Sequence, residues 1–403
     1  MNAQADLWAQ DGINRRLRER LEMSLRDLFE GTGYAPVEPP VLQPADPFLD
    51  LSGEDIRRRL YVFTDPGGRE VCLRPDLTLP TCRYYLDRMP TGGPAKLSYA
   101  GPVFRFETDT SGKLNEFAQA GVENFGADDR EAADAEVLSL AIKGLQASEV
   151  SDFEIELGDL GLFSALVDAL DIPPAWRSRL KRHFWRPDYF RELIERLASS
   201  SETGNGSAEH AGLIAALGPL NEKQVRALIE DVLGLAQISA VGGRSVSEIA
   251  ERFLEQAADS GGRVLAESTV ELINRFLALQ VPASQAVGAL RELLEPAGVR
   301  IDASLMALDR RLELIGAAGV DLSAATFGPG FGRKLEYYTG FVFELRVPAL
   351  GAQAIVAGGG RYDGLLGRLG APYGVPAVGC AVSIERVMLA SGANEAKTEG
   401  GAP

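Results

Sequence analysis

The sequence predicts an α+β fold, with an antiparallel sheet flanked by helices. Two hairpin patterns occur early in the chain, at 61–76 and 104–126. Strand patterns return only at about residue 335, and helix follows helix over roughly 162–320. This segregation of strands and helices is typical of α+β proteins. We therefore expect a sheet that is interrupted by a helical insertion.

Composition restricts the kind of protein. The chain has 403 residues, of which 45% are hydrophobic and 24% charged, enough to bury the cores of two or three domains. No apolar run approaches the roughly 20 residues that span a bilayer, and the N-terminus lacks the pattern of a signal peptide. Three scattered cysteines and two histidines predict no disulfide framework, metal site or cofactor. We expect a cytoplasmic protein without membrane contact.

The charge balance bears on nucleic-acid binding. The net charge is −16 and the sequence contains no arm rich in Lys and Arg. Neutralisation of phosphates supplies much of the affinity of nucleic-acid binders, which therefore present basic faces. The charge argues against tRNA as the main partner.

The first elements are a helix and a hairpin. Apolar residues recur at helical spacing over 13–28, and this helix is expected to end near 31–33. In 61–76, two short strand patterns flank Asp65-Pro66-Gly67-Gly68, a strong turn sequence. The hairpin leads to Asp76 and Thr78, which either bind a ligand or cap the helix expected over 78–86.

The second hairpin is the central element. Polar and apolar residues alternate over 103–107, and after a loop the alternation resumes on a face formed by Phe117, Gln119, Gly121 and Glu123. Arg105, Gln119 and Glu123 then point into one space, where Gly121 is expected to leave room for a ligand. An arginine beside carboxylates suits a small zwitterion or a phosphate ester. An edge hairpin with ordinary surface charges is the alternative.

The later elements follow in order. A helix is expected over 128–145, a strand over 153–157 and a strand from about 335 to 345. In that last strand Tyr337 lies on a face typical of core, whereas Tyr338 is the better ligand contact. A glycine run at 357–365 lacks the spacing of a dinucleotide loop and is better explained as a wall beside a small ligand. Residues 376–386 read as a strand followed by a helix.

These segments together resemble the class II aminoacyl-tRNA synthetases, in the form found in histidyl-tRNA synthetase. The resemblance is carried by motif 1 at 33–43, motif 2 at 104–126, the two histidine signatures at 333–340 and 357–365, and motif 3 at 376–386. It implies a class II antiparallel sheet core and a class II-type dimer. The predicted divisions are 1–160 and 321–392 for the two parts of the core, 161–320 for the helical insertion, and 393–403 for a disordered tail.

The resemblance also implies a histidine-binding site. It assigns the α-ammonium to Asp76, Thr78 and Gln119, the two imidazole nitrogens to Glu123 and Tyr338, and the carboxylate to Arg333, together with Arg105. Tyr337 completes the predicted set. This set is chemically sensible, because it provides acceptors for a cation, a cation for an anion and hydrogen-bonding groups for a ring.

Several positions depart from the synthetase pattern. The loop at 112–115 lacks the two arginines that serve ATP there, and Ser383 replaces a glycine of motif 3. Asp76 is one methylene shorter than the family glutamate. Thirteen residues follow Ala390, fewer than the about 50 that a domain needs, so we expect no C-terminal anticodon-binding domain.

The sequence retains the predicted histidine pocket of the synthetase but departs from it at the segments that serve ATP and tRNA. In this combination the chain resembles the family of ATP phosphoribosyltransferase regulatory subunits. This resemblance implies a non-catalytic subunit for the first step of histidine biosynthesis. Such a subunit is required by a short-form catalytic subunit, forms a hetero-oligomer with it and takes part in feedback inhibition by L-histidine as effector. No tRNA partner is then expected.

Three alternatives remain open at this point. A truncated histidyl-tRNA synthetase would still form histidyl-adenylate with Arg105, Arg333 and Arg386. A related amino-acid ligase or protein-modifying paralogue would also need ATP. A purely structural scaffold would carry the histidine pocket as a relic.

Overall fold

A computed structural model describes residues 3–51, 53–108, 114–184, 186–199, 264–332 and 337–399, and the elements below are numbered within those ranges. Nine strands form the main sheet, in the spatial order β1-β5-β6-β12-β11-β10-β7-β9-β8. They are β1 (Ala35–Pro36), β5 (Ala95–Phe104), β6 (Glu116–Phe125), β7 (Glu154–Asp159), β8 (Val281–Pro282), β9 (Thr326–Phe327), β10 (Phe341–Arg346), β11 (Ile355–Arg361) and β12 (Ala377–Ser383). The six strands from β5 to β7 in this order pair antiparallel, and only β1 with β5 and β7 with β9 run parallel. The α+β class with a flanked sheet is confirmed.

A second, three-stranded sheet has the order β2-β4-β3. Its strands are β2 (Leu42–Pro44), β3 (Val62–Thr64) and β4 (Glu70–Leu73). The hairpin predicted at 61–76 is present as β3 and β4, and its turn is closed by Asp65, whose Oδ1 accepts the backbone N–H of Gly67 at 2.8 Å. The chain then enters helix α4, so the small sheet places the start of that helix beside the main sheet.

α-Helices make up most of the remaining regular structure of the described ranges. They are α1 (Ala3–Gly31), α2 (Asp46–Leu51), α3 (Glu54–Arg57), α4 (Thr78–Arg88), α5 (Arg130–Ala147), α6 (Leu160–Ala169), α7 (Pro174–His183), α8 (Pro187–Ala198), α9 (Glu267–Ala278), α10 (Ala286–Leu294), α11 (Asp302–Ala317), α12 (Leu365–Arg368) and α13 (Ile384–Glu399). Helix α5 begins at the cap Asp129, whose Oδ1 accepts the N–H of Ala132, and packs against β11 and β12. Helix α11 packs in turn on α5, so the buried face of the sheet lies under two helical layers.

The hairpin predicted at 104–126 is present as β5 and β6, but its first strand ends sooner than expected. Strand β5 stops at Phe104, whereas the alternation had extended the strand through Glu107. The reason is a change of backbone partner: Arg105 N–H still donates to the Asn115 carbonyl, but Phe106 N–H donates to the carbonyl of Arg59, outside the hairpin. Residues beyond 104 are therefore extended without belonging to the sheet.

A buried ionic network joins the helices to the sheet. Asp134 on α5 accepts a hydrogen bond from Arg311 Nε at 2.8 Å and from Arg361 Nη2 at 2.6 Å. Arg311 also donates to Asp159 at 2.7 Å, and Arg361 to Asp363 at 2.9 Å. Each guanidinium is buried and bonded to two carboxylates, which offsets the cost of taking it out of water. The network ties β7 and β11 to the helical layers.

The chain divides into two compact units, Met1–Ala169 with Arg275–Pro403, and Leu170–Asn274. The second unit contains α7, α8 and most of α9, and is narrower than the helical insertion expected over 161–320. Much of the remainder of that range belongs to the first unit, because β8 pairs with β9 of the main sheet and α11 packs on α5. Residues 200–263 lie outside the described part.

The C-terminal segment also differs from expectation. Helix α13 continues to Glu399, so 393–399 are helical where a disordered tail was expected. Ala, Glu and Lys in this segment are good helix formers, which allows the helix to continue beyond the core. In the described ranges, none of the helices combines the length and apolarity needed to cross a membrane.

Candidate functional site

A cavity of about 610 Å³ lies over the main sheet. Six of the eight residues predicted for ligand binding line it, namely Asp76, Thr78, Arg105, Gln119, Tyr337 and Tyr338. Glycine also contributes to its wall as expected, through Gly358 on β11. Arg333 lies outside the described residues, and Glu123 is treated below. Residues from the start of α4, the hairpin β5–β6 and the segment before β10 thus meet in one space.

Asp76 occupies two roles that the sequence left as alternatives. Its Oδ1 accepts the backbone N–H of Leu79 at 3.1 Å, so the carboxyl group does stabilise the start of α4. Its Oδ2 is buried and has no hydrogen-bond partner among the described residues. Burial raises the pKa of this carboxyl group, against the opposing charge of Arg105. One oxygen therefore serves the helix and the other is available to a ligand.

Gln119 offers a second acceptor of the same kind. It lies on β6, is 8% exposed, and its Oε1 has no hydrogen-bond partner in the described part of the chain. A buried acceptor without a partner costs about 1–3 kcal/mol, so two of them in one cavity are unusual unless a ligand satisfies them. A group with several N–H donors and a positive charge fits this pair.

Arg105 supplies positive charge to the same cavity. Its Nε donates to the Pro75 carbonyl at 2.7 Å, and its guanidinium lies 5.3 Å from the centre of the Phe117 ring. Burial lowers its pKa to about 10, which leaves it charged at neutral pH, while the carboxylate of Asp76 acts in the opposite direction. The backbone bond and the ring fix the guanidinium, so it can hold an anionic group without a large entropic cost.

Glu123 reaches the cavity wall through a tyrosine. It is fully buried, with Oε1 accepting the Tyr99 hydroxyl at 3.0 Å and Oε2 accepting the hydroxyl of Tyr362, which lines the cavity. Burial is the largest influence on Glu123 and raises its pKa to about 7, while hydrogen bonds with Tyr362, Thr78 and Tyr99 act to lower it. The carboxyl group is thus placed for indirect contact with a ligand.

The glycines near Glu123 have a different role from the one expected. A Cβ on Gly121 would lie 2.6 Å from the Tyr99 hydroxyl, so the space beside Gly121 holds that tyrosine and no ligand. Gly121 was expected to leave room for a ligand, and that expectation was wrong. On the neighbouring strand, a Cβ on Gly379 would lie 2.5 Å from Cδ of Glu123. Both glycines make room for the buried Glu123–tyrosine cluster.

The strand pattern placed Tyr337 in the core and Tyr338 beside the ligand, but the structure does not separate the two tyrosines in this way. Strand β10 begins at Phe341, so Tyr337 and Tyr338 precede it and both line the cavity. Tyr337 is nonetheless 3% exposed, and its ring lies 4.9 Å from that of Tyr338 and 5.8 Å from that of Tyr362. Three aromatic rings therefore form one wall, which suits a flat ring ligand.

A further part of the cavity is lined by charged residues. Arg386 on α13 lines it and donates through Nη1 to the Ile355 carbonyl at 2.7 Å, and Ser383 lies beside it at the end of β12. The strand-then-helix pattern at 376–386 is confirmed by β12 and α13. Nearby, Arg59 forms an ion pair with Glu107 and donates through Nε to the Phe106 carbonyl. Part of the charge here is thus neutralised within the protein.

Sequence reasoning missed two residues of the Glu123 cluster, Tyr99 and Tyr362. Tyr99 lies directly opposite Gly121 in the pairing of β5 with β6, a position that depends on the register of the hairpin. The loop of uncertain length between the two patterns left this register open. Tyr362 lies two residues after the glycine run of β11, and that position was the available signal.

Comparisons with known proteins agree with this architecture. Residues 13–387 match the family model described as histidyl-tRNA synthetase. The chain is 38% identical over 367 residues to an ATP phosphoribosyltransferase regulatory subunit of Chelativorans sp. (strain BNC1), covering 91% of this chain and 96% of that protein. It is also 38% identical over 372 residues to the subunit of the same name from Agrobacterium fabrum, covering 92% and 96%.

Solved structures show the same fold. A chain from Bacillus halodurans, described as an ATP phosphoribosyltransferase regulatory subunit/histidyl-tRNA synthetase, superposes with a TM-score of 0.64 at 22% identity, covering 93% of this chain and 79% of that one. A histidine–tRNA ligase subunit from Alicyclobacillus acidocaldarius gives a TM-score of 0.57 at 26% identity and covers 94% of both chains. The class II synthetase-like fold expected from the sequence motifs is thereby confirmed.

Proposed function

The chain belongs to the family of ATP phosphoribosyltransferase regulatory subunits, and we propose on that basis that it regulates a short-form catalytic subunit in the first step of histidine biosynthesis. In this proposal the two chains form a hetero-oligomer in the cytoplasm, and this chain also self-associates as a class II-type dimer. L-Histidine is the effector and binds in the cavity over the main sheet. The proposal includes no tRNA partner.

The observation that carries the proposal is the pair of unsatisfied buried acceptors, Asp76 Oδ2 and Gln119 Oε1. An α-ammonium group has three N–H donors and a positive charge, so it satisfies both oxygens at once. The Arg105 guanidinium in the same cavity suits the α-carboxylate, and the wall of three tyrosines suits the imidazole ring. Each part of the amino acid thus has a group of matching chemistry in the cavity.

The regulatory role follows from differential binding. If histidine binds more tightly to one state of the complex than to another, it shifts the population toward that state by the difference in binding free energy. A cavity that recognises the whole amino acid provides such a difference only if its walls move between the states. Its walls come from α4, β6 and the segment before β10, so a small relative shift of these elements changes the site.

The proposal is tested by measuring inhibition of the assembled complex by histidine. In Gln119→Met the side chain keeps its size but loses its acceptor, so the concentration of histidine for half inhibition should rise about ten- to hundredfold, as for a lost hydrogen bond to a charged group. The matched control is Gln146→Met, because Gln146 is exposed on α5 and does not line the cavity. Equal histidine inhibition in all three proteins would refute the assignment of the site.

Histidyl-adenylate formation is the second candidate function. It is favoured by the presence of Arg105 and Arg386 in one continuous cavity with the proposed histidine site, a volume larger than histidine alone requires. Three features weigh against it. The loop at 112–115 has a single lysine where the synthetase has two arginines, and Ser383 places a side chain where the synthetase motif has glycine. Arg59 is already paired with Glu107, so its charge is partly neutralised within the protein. Pyrophosphate exchange that depends on histidine would support this candidate and contradict a purely regulatory role.

A further inference from the structure

Glu123 is a fully buried carboxyl group that accepts hydrogen bonds from the hydroxyls of Tyr99 and Tyr362, with Thr78 as a further hydrogen-bond partner. The groups around it come from α4, β5, β12 and the segments that flank α4, β10 and β11. They are Asp76, Thr78, Cys82, Tyr99, Tyr337, Tyr362 and Cys380. Asp76 is the other carboxyl group among them, and its Coulombic effect also raises the pKa of Glu123. The two protonation states of Glu123 are thus close in free energy at neutral pH, with its pKa at about 7.

The protonation state of Glu123 determines whether the Tyr362 hydroxyl in the cavity wall accepts or donates a hydrogen bond. When Glu123 is ionised, the hydroxyl of Tyr362 donates its proton to Oε2, and its oxygen lone pairs remain as acceptors. When Glu123 is protonated, its own O–H can donate to Tyr362, and the tyrosine proton is free to point elsewhere. Since Tyr362 lines the cavity, the same hydroxyl is an acceptor in one state and a donor in the other.

We propose that Glu123 and Tyr362 form a proton-dependent switch in the cavity wall, and that histidine binds the form in which Glu123 is ionised. This inference rests on the proposed function, because histidine is the ligand that it assumes. Histidine brings N–H donors on its ammonium and imidazole groups, which need acceptors from the wall. The proton that leaves the Glu123 carboxyl group passes to solvent, so binding and proton release are coupled.

The test counts protons during histidine binding. Calorimetric titrations of the full chain at about pH 7, in phosphate and in Tris, differ in heat by the number of protons released multiplied by the difference in buffer ionisation heat. A group with a pKa of about 7 is half protonated at that pH, so about 0.5 proton should be released per histidine, falling to about 0.1 at pH 8. Glu123→Gln should lower the count at pH 7 by about 0.5.

Glu385→Gln is the matched control. Glu385 is also a carboxyl group whose pKa is raised by burial, but it accepts the Ala118 N–H and does not line the cavity. Its replacement should leave the proton count unchanged. If Glu123→Gln fails to fold, Tyr362→Phe takes its place, because it removes the hydroxyl that couples Glu123 to the cavity. A proton count in Tyr362→Phe equal to that of the wild type overturns the switch.

The outcomes separate the two proposals. Histidine binding without a buffer-dependent heat, or with the same proton count in Glu123→Gln, overturns the switch and leaves the histidine site intact. An absence of histidine binding, measured by calorimetry and by equilibrium dialysis, overturns both. A count that falls in Glu123→Gln and is kept in Glu385→Gln supports the switch.

Discussion

Replacing Arg311 by methionine is expected to destabilise the protein by about 3–5 kcal/mol. Arg311 Nε lies 2.8 Å from Asp134, and its Nη1 lies 2.7 Å from Asp159. All three side chains are less than a tenth exposed. Methionine fills much of the same volume but leaves Asp159 without this cation, while Asp134 keeps only Arg361. The magnitude is that of breaking a buried pair by removing one partner.

The neighbouring residue provides the control. Arg310 lies on the same helix and pairs with Asp129 at 2.6 Å, but its side chain is 53% exposed. Arg310→Met should cost at most about 1 kcal/mol, because water and salt screen exposed ion pairs. Urea unfolding followed by circular dichroism gives both free energies of unfolding. If Arg311→Met loses no more stability than Arg310→Met, the account of the buried network is wrong.

Three further predictions concern the Glu123 cluster and the thiols. Gly379→Ala should abolish histidine binding and lower the melting temperature, because the new methyl group would clash with the Glu123 carboxyl group. Gly374→Ala is the control, because a Cβ at that position meets no atom within 4 Å. Since the folded pKa of Glu123 is about 7 and the unfolded value about 4.3, its protonated form favours folding. That contribution is full below about pH 4 and is lost as pH rises through 7. Between about pH 5 and about pH 8, the free energy of unfolding should therefore fall by about 3 kcal/mol more in the wild type than in Glu123→Gln. Parallel curves of the free energy of unfolding against pH for the two proteins would refute this. Cys72, Cys82 and Cys380 are buried with pKa values raised by burial, so a thiol reagent should modify all three only in denaturant, and fast reaction of the native protein would contradict their burial.

Local periodicity was sufficient for the regular elements of the fold. The hairpins β3–β4 and β5–β6, helix α1 and the step from β12 to α13 all follow from spacing and turn residues within a short window. Element ends were less predictable, because they depend on distant partners. Strand β5 ends where Phe106 turns to the backbone of Arg59, 47 residues away in the chain, and no local pattern reports such a bond.

The candidate site likewise has a part that local sequence predicts and a part that depends on distant contacts. The side chains that line the cavity could be identified from motifs, since Asp76, Arg105 and Gln119 each stand in a recognisable segment. The buried layer behind them was not identified. Tyr99 depends on hairpin register, and the role of Gly121 depends on that tyrosine, so one undetermined loop length concealed both.

The most direct test of the account is calorimetric titration of the purified chain with L-histidine and, separately, with ATP, followed by a pyrophosphate-exchange assay. We expect histidine to bind with one site per chain, the affinity to fall about ten- to hundredfold in Gln119→Met, and no histidine-dependent exchange. Histidine binding that is unaffected in Gln119→Met would contradict the site. Rapid exchange with ATP would show an adenylating enzyme in place of a regulatory subunit.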